Sequence, residues 1–479
     1  MGIEAYLIIL VLLIGFYMAW NIGANDVANA MGTSIGSGAL TLKKAVIIAG
    51  ILEFSGALLL GSHVSETMQT GIVNPDLFLS NPDTLLFGML AALLATAVWL
   101  QVASFFGWPV STTHAIVGAI LGFGALIAGV QTVKWKEVGS IAASWVISPG
   151  LSALISYFIF SLLQKKILFA LNPVRATKKL IPILVFFVFF IFVISMIFNG
   201  MENIHLKLNA IEALLISLAI ALLCSVTSHL LLKKQPGKEP LPEEVYSPDL
   251  SQHVVSLNKA AKHLRRVRLS STGEIRSNVS KILKETESLS KELKEKSHFF
   301  RSSTEYQKVE KMFGYLQLIS ACFVAFAHGA NDVANAIGPV AAVLEIIRFG
   351  SLNVVTHIPS WLLALGGAGI VVGLATWGWR VIETIGRKIT ELTPTRGFSA
   401  EFGAATTILL ASKLGLPVST THCVVGAVLG VGLAKGISAL NLRMLRDIAL
   451  SWIVTIPSSA LVCILFYYLI KAVFSPFLS

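Results

Sequence analysis

The chain has 479 residues, of which 55% are hydrophobic and only 13% charged. A soluble enzyme or binding domain needs about twice that charge on its surface, so those classes are excluded. The net charge of +11 sits mostly in loops and in one polar insert. It marks cytoplasmic flanks of a membrane protein and gives no support for nucleic acid as a partner.

Met1 to Ala19 is apolar, carries Glu4 and lacks a basic leader, which predicts an uncleaved first helix over about 3–20. It runs into the octapeptide Gly-Ala-Asn-Asp-Val-Ala-Asn-Ala, Gly23 to Ala30. Gly32, Gly36 and Gly38 follow, so the helix is expected to break there. A second helix is expected over about 45–63 with Glu53 inside it, then a loop over 64–83 containing Asn74-Pro75 and Asn81-Pro82. A third spans about 84–106 and carries Gln101. Pro109-Val110-Ser111-Thr112-Thr113-His114 precedes the apolar run 115–130, and a fifth helix covers about 138–163. Two more, about 180–198 and 209–232, have no counterpart elsewhere.

Residues 233–312 turn to Lys, Arg, Glu and Ser, with helical stretches over about 248–269 and 274–299 around Ser270-Ser271-Thr272-Gly273. This reads as a soluble helical hairpin whose charge is a solvated face. The first pattern then resumes. The octapeptide returns unchanged at Gly329 to Ala336, 306 residues on, and Pro417 to His422 repeats Pro109 to His114 at an offset of 308. Near-constant offsets mean two homologous halves.

Charge sets their orientation. Loop 64–83 has no Lys or Arg, whereas its counterpart, about 380–400, has Arg380, Arg387, Lys388 and Arg396. Equivalent loops of opposite character belong on opposite sides of the membrane, so the repeats are inverted. The expected architecture is an all-α polytopic membrane protein of about 12 transmembrane helices. It comprises a first inverted repeat (1–163), two linking helices (164–232), a cytoplasmic basic helical insert (233–312) and a second inverted repeat (313–479), with both termini outside. The four cysteines match no metal or disulfide spacing and read as packing residues.

Pro before Ser or Thr, then an apolar run, predicts a half-helix start within the membrane. Its N–H groups, hydroxyls and positive dipole end suit a tetrahedral oxyanion. The competing role for the hydroxyls is plain capping. In the octapeptides, Asn25, Asp26 and Asn29 offer hard oxygens over about one turn, as do Asn331, Asp332 and Asn335. On a broken helix such oxygens suit small cations; the alternative is interhelical hydrogen bonding. No Lys or Arg occurs in any of the four motifs. Two Asp and a polyanion share a dry site only if cations or protons enter with the anion, which predicts cation-coupled symport. A nucleophile clustered with metal ligands, as an enzyme would need, is not visible.

The duplicated motifs, the stretch EKMFGYLQLISACFVAFAHGANDVANAIGPV (310–340) and LTPTRGFSAEF (392–402) resemble the PiT family of inorganic phosphate transporters. The resemblance covers both halves and leaves out the insert and the two extra helices. It implies phosphate uptake into the cell through the plasma or inner membrane, driven by sodium or protons, and a homodimer. By motif, phosphate falls to Ser111, Thr112, Thr113, Ser419, Thr420 and Thr421, with Asn25 and Asn331 near. Sodium ions, co-transported rather than resident cofactors, fall to Asp26, Asn29, Asp332 and Asn335. Glu401 matches an acidic position of the family and has no acid at the equivalent place in the first half; the competing role is a helix N-terminal charge. Glu53 reads as a pathway or pairing group and Gln101 as a cation helper or packing residue. His114, His422 and His328 read as neutral neighbours of the motifs. Sodium-coupled phosphate symport is the leading expectation. Its rivals are a proton-coupled carrier of metal-phosphate or sulfate, and a phosphate-sensing receptor or scaffold.

Overall fold

A computed structural model describes residues 3–106, 108, 110–170, 172–200, 208–233, 250–301, 304–350, 358–378, 393–436 and 442–478. The chain is helical, as its apolar runs dictate: in a bilayer every backbone group must be bonded internally. Helices are α1 Ile3–Asn25, α2 Val27–Gly36, α3 Leu42–Leu60, α4 Ser62–Thr70, α5 Pro82–Phe106, α6 Thr112–Gly122, α7 Trp135–Leu163, α8 Pro173–Gly200 and α9 Ala210–Lys233. They continue with α10 Leu250–Ser270, α11 Gly273–Arg301, α12 Thr304–Phe349, α13 Ser360–Thr376, α14 Pro394–Lys413, α15 Thr420–Lys435 and α16 Leu442–Leu478.

Among the described residues seven helices are long and apolar enough to cross a membrane, or eight if the bent pair α3–α4 counts as one span. Three further apolar helices are too short: Thr112–Ala128, Ser360–Thr376 and Thr420–Lys435. Two of these are the half-helices expected after the Pro-Val-Ser-Thr-Thr-His motifs. The chain folds into two compact units. One comprises Met1–Phe160, Val185–Cys224 and Gly314–Ser479; the other comprises Ser161–Leu184 and Ser225–Phe313.

The first unit is knit by glycines that admit a neighbouring backbone. A Cβ on Gly23 would overlap the carbonyl of Ile370, and one on Gly329 would overlap the carbonyl of Glu53. Gly373 meets the carbonyl of Trp20, and Gly56 that of Phe326. So α1 lies on α13 as α12 lies on α3. In the same way Gly118 abuts Ile456 and Gly426 abuts Pro149, setting α6 on α16 and α15 on α7. Each contact occurs twice with the halves exchanged. Gly122 and Gly430 continue these two contacts one turn on, against Ala460 and Ala153.

Three local expectations need correction. Neither octapeptide breaks its helix: Asp26 keeps helical dihedrals and its N–H donates to the Ile22 carbonyl at 2.8 Å, so α1 and α2 run on as one span over Glu4–Gly36, and α12 runs straight through the second copy. His328 and Asp332 face each other one turn apart on α12, a pairing that Ile22 cannot offer on α1. Residues 64–83 are not all loop: α4 turns 65° from α3, and Pro75–Phe78 forms a 3-10 turn. The α4 sequence, Ser-His-Val-Ser-Glu-Thr-Met-Gln-Thr, is too polar to register as a membrane helix, yet Val64 and Met68 are buried. Glu401 is the eighth residue of α14, not at its start, so the helix-terminus role does not apply. Arg380, Arg387 and Lys388 lie outside the described residues.

In the second unit α10 and α11 form the expected hairpin, closed at Gly273 with φ +60°, a value glycine adopts without strain.

Candidate functional site

The two half-helices start as their sequence requires. Ser111 is the N-cap of α6 and its Oγ accepts the His114 N–H at 3.2 Å; Ser419 caps α15 and accepts the His422 N–H at 3.3 Å. Each cap leaves the first N–H groups of its helix pointing off the end. The next hydroxyl reaches an octapeptide: Thr112 Oγ donates to Asp26 Oδ2, and Thr420 Oγ donates to Asp332 Oδ2 at 2.9 Å. The third crosses to the other half. Thr113 Oγ donates to the Val418 carbonyl at 3.0 Å, and Thr421 Oγ to the Val110 carbonyl at 3.4 Å. Ser, Thr and Thr thus serve as cap, carboxylate tether and cross-clasp, in both copies.

The Asn residues hold the motifs to one another. Asn25 Nδ2 donates to Ser104 Oγ at 2.9 Å and to the Trp108 carbonyl at 3.3 Å. Asn331 Nδ2 repeats this with Ser412 Oγ at 3.0 Å and the Leu416 carbonyl at 3.2 Å. Asn335 Nδ2 donates to Thr113 Oγ at 3.3 Å, while the Asn29 side chain lies outside the described residues. Ser104 and Ser412 were not singled out from the sequence, although their offset of 308 matches that of the neighbouring motif.

These bonds leave a set of buried oxygens without a hydrogen-bond partner among the described residues: Oδ1 of Asn25, Asp26, Asn331, Asp332 and Asn335. Carboxylate and amide oxygens accept but do not donate, and burying them unpaired is costly. Facing a hard cation relieves that cost. Asp26 and Asp332, 306 residues apart, come together with His328, their ligand atoms all within 4.8 Å of one another. Among the described residues no Lys or Arg is buried.

Glu53 and His328 complete the centre on one side only. His328 Nδ1 lies 2.7 Å from Glu53 Oε2, and Nε2 lies 3.0 Å from Asp332 Oδ2, the latter an ion-pair separation without hydrogen-bond alignment. Both ring nitrogens therefore face carboxylate oxygens. The exchanged-half positions are Ile22 for His328 and Ile370 for Glu53.

The structure places Glu401 in a separate cluster. It accepts from Thr33 Oγ at 2.6 Å, Ser34 Oγ at 2.7 Å, Ser320 Oγ at 2.5 Å and Gln317 Nε2 at 3.0 Å, all buried. Its partners escaped the sequence reading because they have no polar mates. By the same offsets, Leu93, Val11, Ile14, Pro339 and Val340 stand in for Glu401, Gln317, Ser320, Thr33 and Ser34.

His114 and His422 meet edge to face between the halves. Their ring centroids are 4.4 Å apart, with Trp145 at 3.9 Å from His114 and Trp452 at 3.4 Å from His422. Gln101 is half-buried, accepts from Tyr17 Oη at 3.4 Å and makes no hydrogen bond to either octapeptide among the described residues.

Comparison with known proteins finds relatives over nearly the whole chain. The model of the phosphate transporter family matches residues 22–463. A chain named as a phosphate permease from Chlamydia pneumoniae is 46% identical over 468 residues, covering 98% of this chain and 99% of the relative. The inorganic phosphate transporter 2-1, chloroplastic, of Arabidopsis thaliana is 44% identical over 474 residues, covering 97% of this chain and 72% of that one. A solved structure named the sodium-dependent phosphate transporter matches with a TM-score of 0.78 and 36% identity, covering 98% of this chain and 99% of the other. The chain is a multi-pass membrane transporter, not an enzyme, and belongs to the phosphate transporter family.

Proposed function

We propose that the chain takes up inorganic phosphate by sodium-coupled symport across the plasma or inner membrane. Access alternates about a site between inverted repeats 1–163 and 313–479, with both termini outside and 233–312 in the cytoplasm. The observation that carries this reading is the meeting of Asp26 and Asp332 at the starts of α6 and α15, with no buried Lys or Arg among the described residues. Phosphate falls to the first-turn N–H groups and hydroxyls of Ser111, Thr112, Thr113, Ser419, Thr420 and Thr421. Asn25 and Asn331 hold the preceding loops in place. Thr112 and Thr420 are tied to the two carboxylates, so anion and carboxylate compete for the same helix ends. Sodium ions on Asp26, Asn29, Asp332 and Asn335 cancel the repulsion and draw the carboxylates away, which frees the hydroxyls for phosphate. The sodium dependence of the structural relative, by its name, supports this choice of ion.

Glu401, ringed by three hydroxyls and an amide, is a third sodium position. A cation entering there would turn the hydroxyl oxygens of Thr33, Ser34 and Ser320 toward itself. His328, bracketed by Glu53 and Asp332, is the observation that favours the rival, proton coupling. Uptake of radiolabelled phosphate into proteoliposomes under imposed sodium or pH gradients separates the two. Uptake that follows the pH gradient and ignores sodium overturns the sodium reading. Net uptake of any kind removes the receptor reading.

A further inference from the structure

The α10–α11 hairpin buries one seam and leaves a second apolar row in the open. Among the described residues the buried or half-buried positions along α10 are Leu257, Ala261, Leu264 and Arg268; along α11 they are Val279, Leu283, Thr286, Ser290 and Leu293, with Ser280 beside them. The alternating steps of four and three make this the a/d seam of an antiparallel two-helix coiled coil. In such a coil the e rows face each other on one side and the g rows on the other. The e side is sealed by Arg265, whose guanidinium donates to Glu287 at 2.7 Å. The g side holds Ala260 and Val267 on α10, and Ile275, Ile282 and Leu289 on α11. Ile275 is 64% exposed, Ile282 50%, and Leu289 and Val267 46% each. Five apolar residues in register on one face of an otherwise charged hairpin mark an unpartnered packing surface.

Charge says what covers it. The outer edge beside the α10 row carries Lys259, His263 and Arg266; the matching edge beside the α11 row carries Glu274, Glu285 and Glu292 with Lys281 among them, and is acidic on balance. The register set by Arg265 and Glu287 places Arg266 level with Glu285, and Lys259 level with Glu292. A two-fold axis parallel to the helices lays α10 of one copy antiparallel on α11 of the next. The basic edge then meets the acidic edge twice, at matching heights, and the two apolar rows close into a four-helix bundle. The alternative two-fold, across the helices, sets the basic edges against each other. We propose that this face is a self-complementary docking surface by which two copies of the chain join their hairpins. The surface is independent of which ion the membrane part couples.

The test uses the full-length protein in nanodiscs, with one spin label at the exposed Ser288 and dipolar distances measured between copies. The inference predicts a narrow distribution below about 40 Å, from neighbouring axes about 10 Å apart. Ile282→Asp and, separately, Arg266→Glu broaden it or abolish it. Arg266→Glu combined with Glu285→Arg restores it, because those edges do not meet within one hairpin. Phosphate uptake is unchanged in all three. A wild-type distribution that is absent or broad overturns the proposal, as does a charge swap that fails to restore it. A label at Leu289 shielded from aqueous quencher without a dipolar partner also overturns it, and assigns the face to another occupant, lipid or a segment of the same chain.

Discussion

Glu53 and His328 offer a test in which the protein supplies its own control. Both are buried, Glu53 0% and His328 1% exposed, and their ion pair is 2.7 Å long. The two ring nitrogens of His328 face Glu53 and Asp332, and the ring and Glu53 form a neutral pair when they hold between them one proton beyond the imidazole's own. Its exchanged-half mates, Ile370 and Ile22, are neutral too, so a neutral pair adds no net charge to the centre that Asp26 and Asp332 share. His328→Ile leaves Glu53 unpaired near Asp332, and Glu53→Ile leaves the ring without its partner on Nδ1. Breaking a buried pair from one side costs about 3–5 kcal/mol, whereas replacing both members by apolar side chains is close to neutral or stabilising. The double variant Glu53→Ile, His328→Ile should therefore be more stable than either single one, with a coupling of about 3 kcal/mol or more. Thermal unfolding of the purified protein in detergent reads the stability. Uptake should show the double variant transporting phosphate with a raised sodium half-saturation, because Asp332 loses the ring that orients it, and with a phosphate half-saturation near wild type. Single-variant losses that simply add in the double variant would refute the neutral-pair reasoning. An unchanged sodium half-saturation would refute the orienting role.

Three shorter predictions follow from the same geometry. Gly373→Val should abolish folded protein on size exclusion, since its Cβ overlaps the Trp20 carbonyl; Gly150→Ala, with nothing within 4 Å, should gain about 0.5–1 kcal/mol in thermal unfolding from helix propensity. Ser111→Ala and Ser419→Ala each remove a cap worth about 1 kcal/mol, and should raise the phosphate half-saturation several-fold more than the sodium one. Glu401→Gln keeps the shape of its cluster but not the charge; sodium titrations of uptake should show at least about tenfold weaker apparent sodium affinity, worth about 1.4 kcal/mol, with the fold retained.

The duplicated features were legible in the sequence because repetition carries its own check. The offsets of 306 and 308 identified the half-helices, their Ser caps and the paired Asp residues. They would also have yielded Ser104 and Ser412, had every polar residue been compared across the halves. The solitary features were not legible in the same way. Thr33, Ser34, Gln317 and Ser320 come from α2 and α12 to meet Glu401, and no local pattern links residues so far apart. Glu53 and His328 were each noticed, but their pairing depends on Gly329, which lets the α3 backbone close on α12. The continuous course of both octapeptide helices was hidden for another reason: glycine and clustered polar residues suggest a break, yet the Asp26 N–H still bonds the Ile22 carbonyl one turn back.

That division between duplicated and solitary parts bears on how the proposed transport cycle must work. A site visited alternately from two sides has to grip its anion the same way after the halves exchange roles. Every element assigned to phosphate obeys this: caps, Thr tethers, cross-clasps and Asn anchors all come in pairs. Cations are not bound by that rule. Asp26 and Asp332 form a pair, but Glu401 faces an equivalent place filled by Leu93, Val11, Ile14, Pro339 and Val340, where no cation could be held. Two carboxylate positions related by the exchange and one without a mate give an odd set, which an exactly two-fold protein could not build off its axis. Under the proposed reading, the solitary carboxylate makes the two directions of the cycle unequal. On that reading the shared centre sets what is carried, and Glu401 would set from which side its cations are more easily gathered.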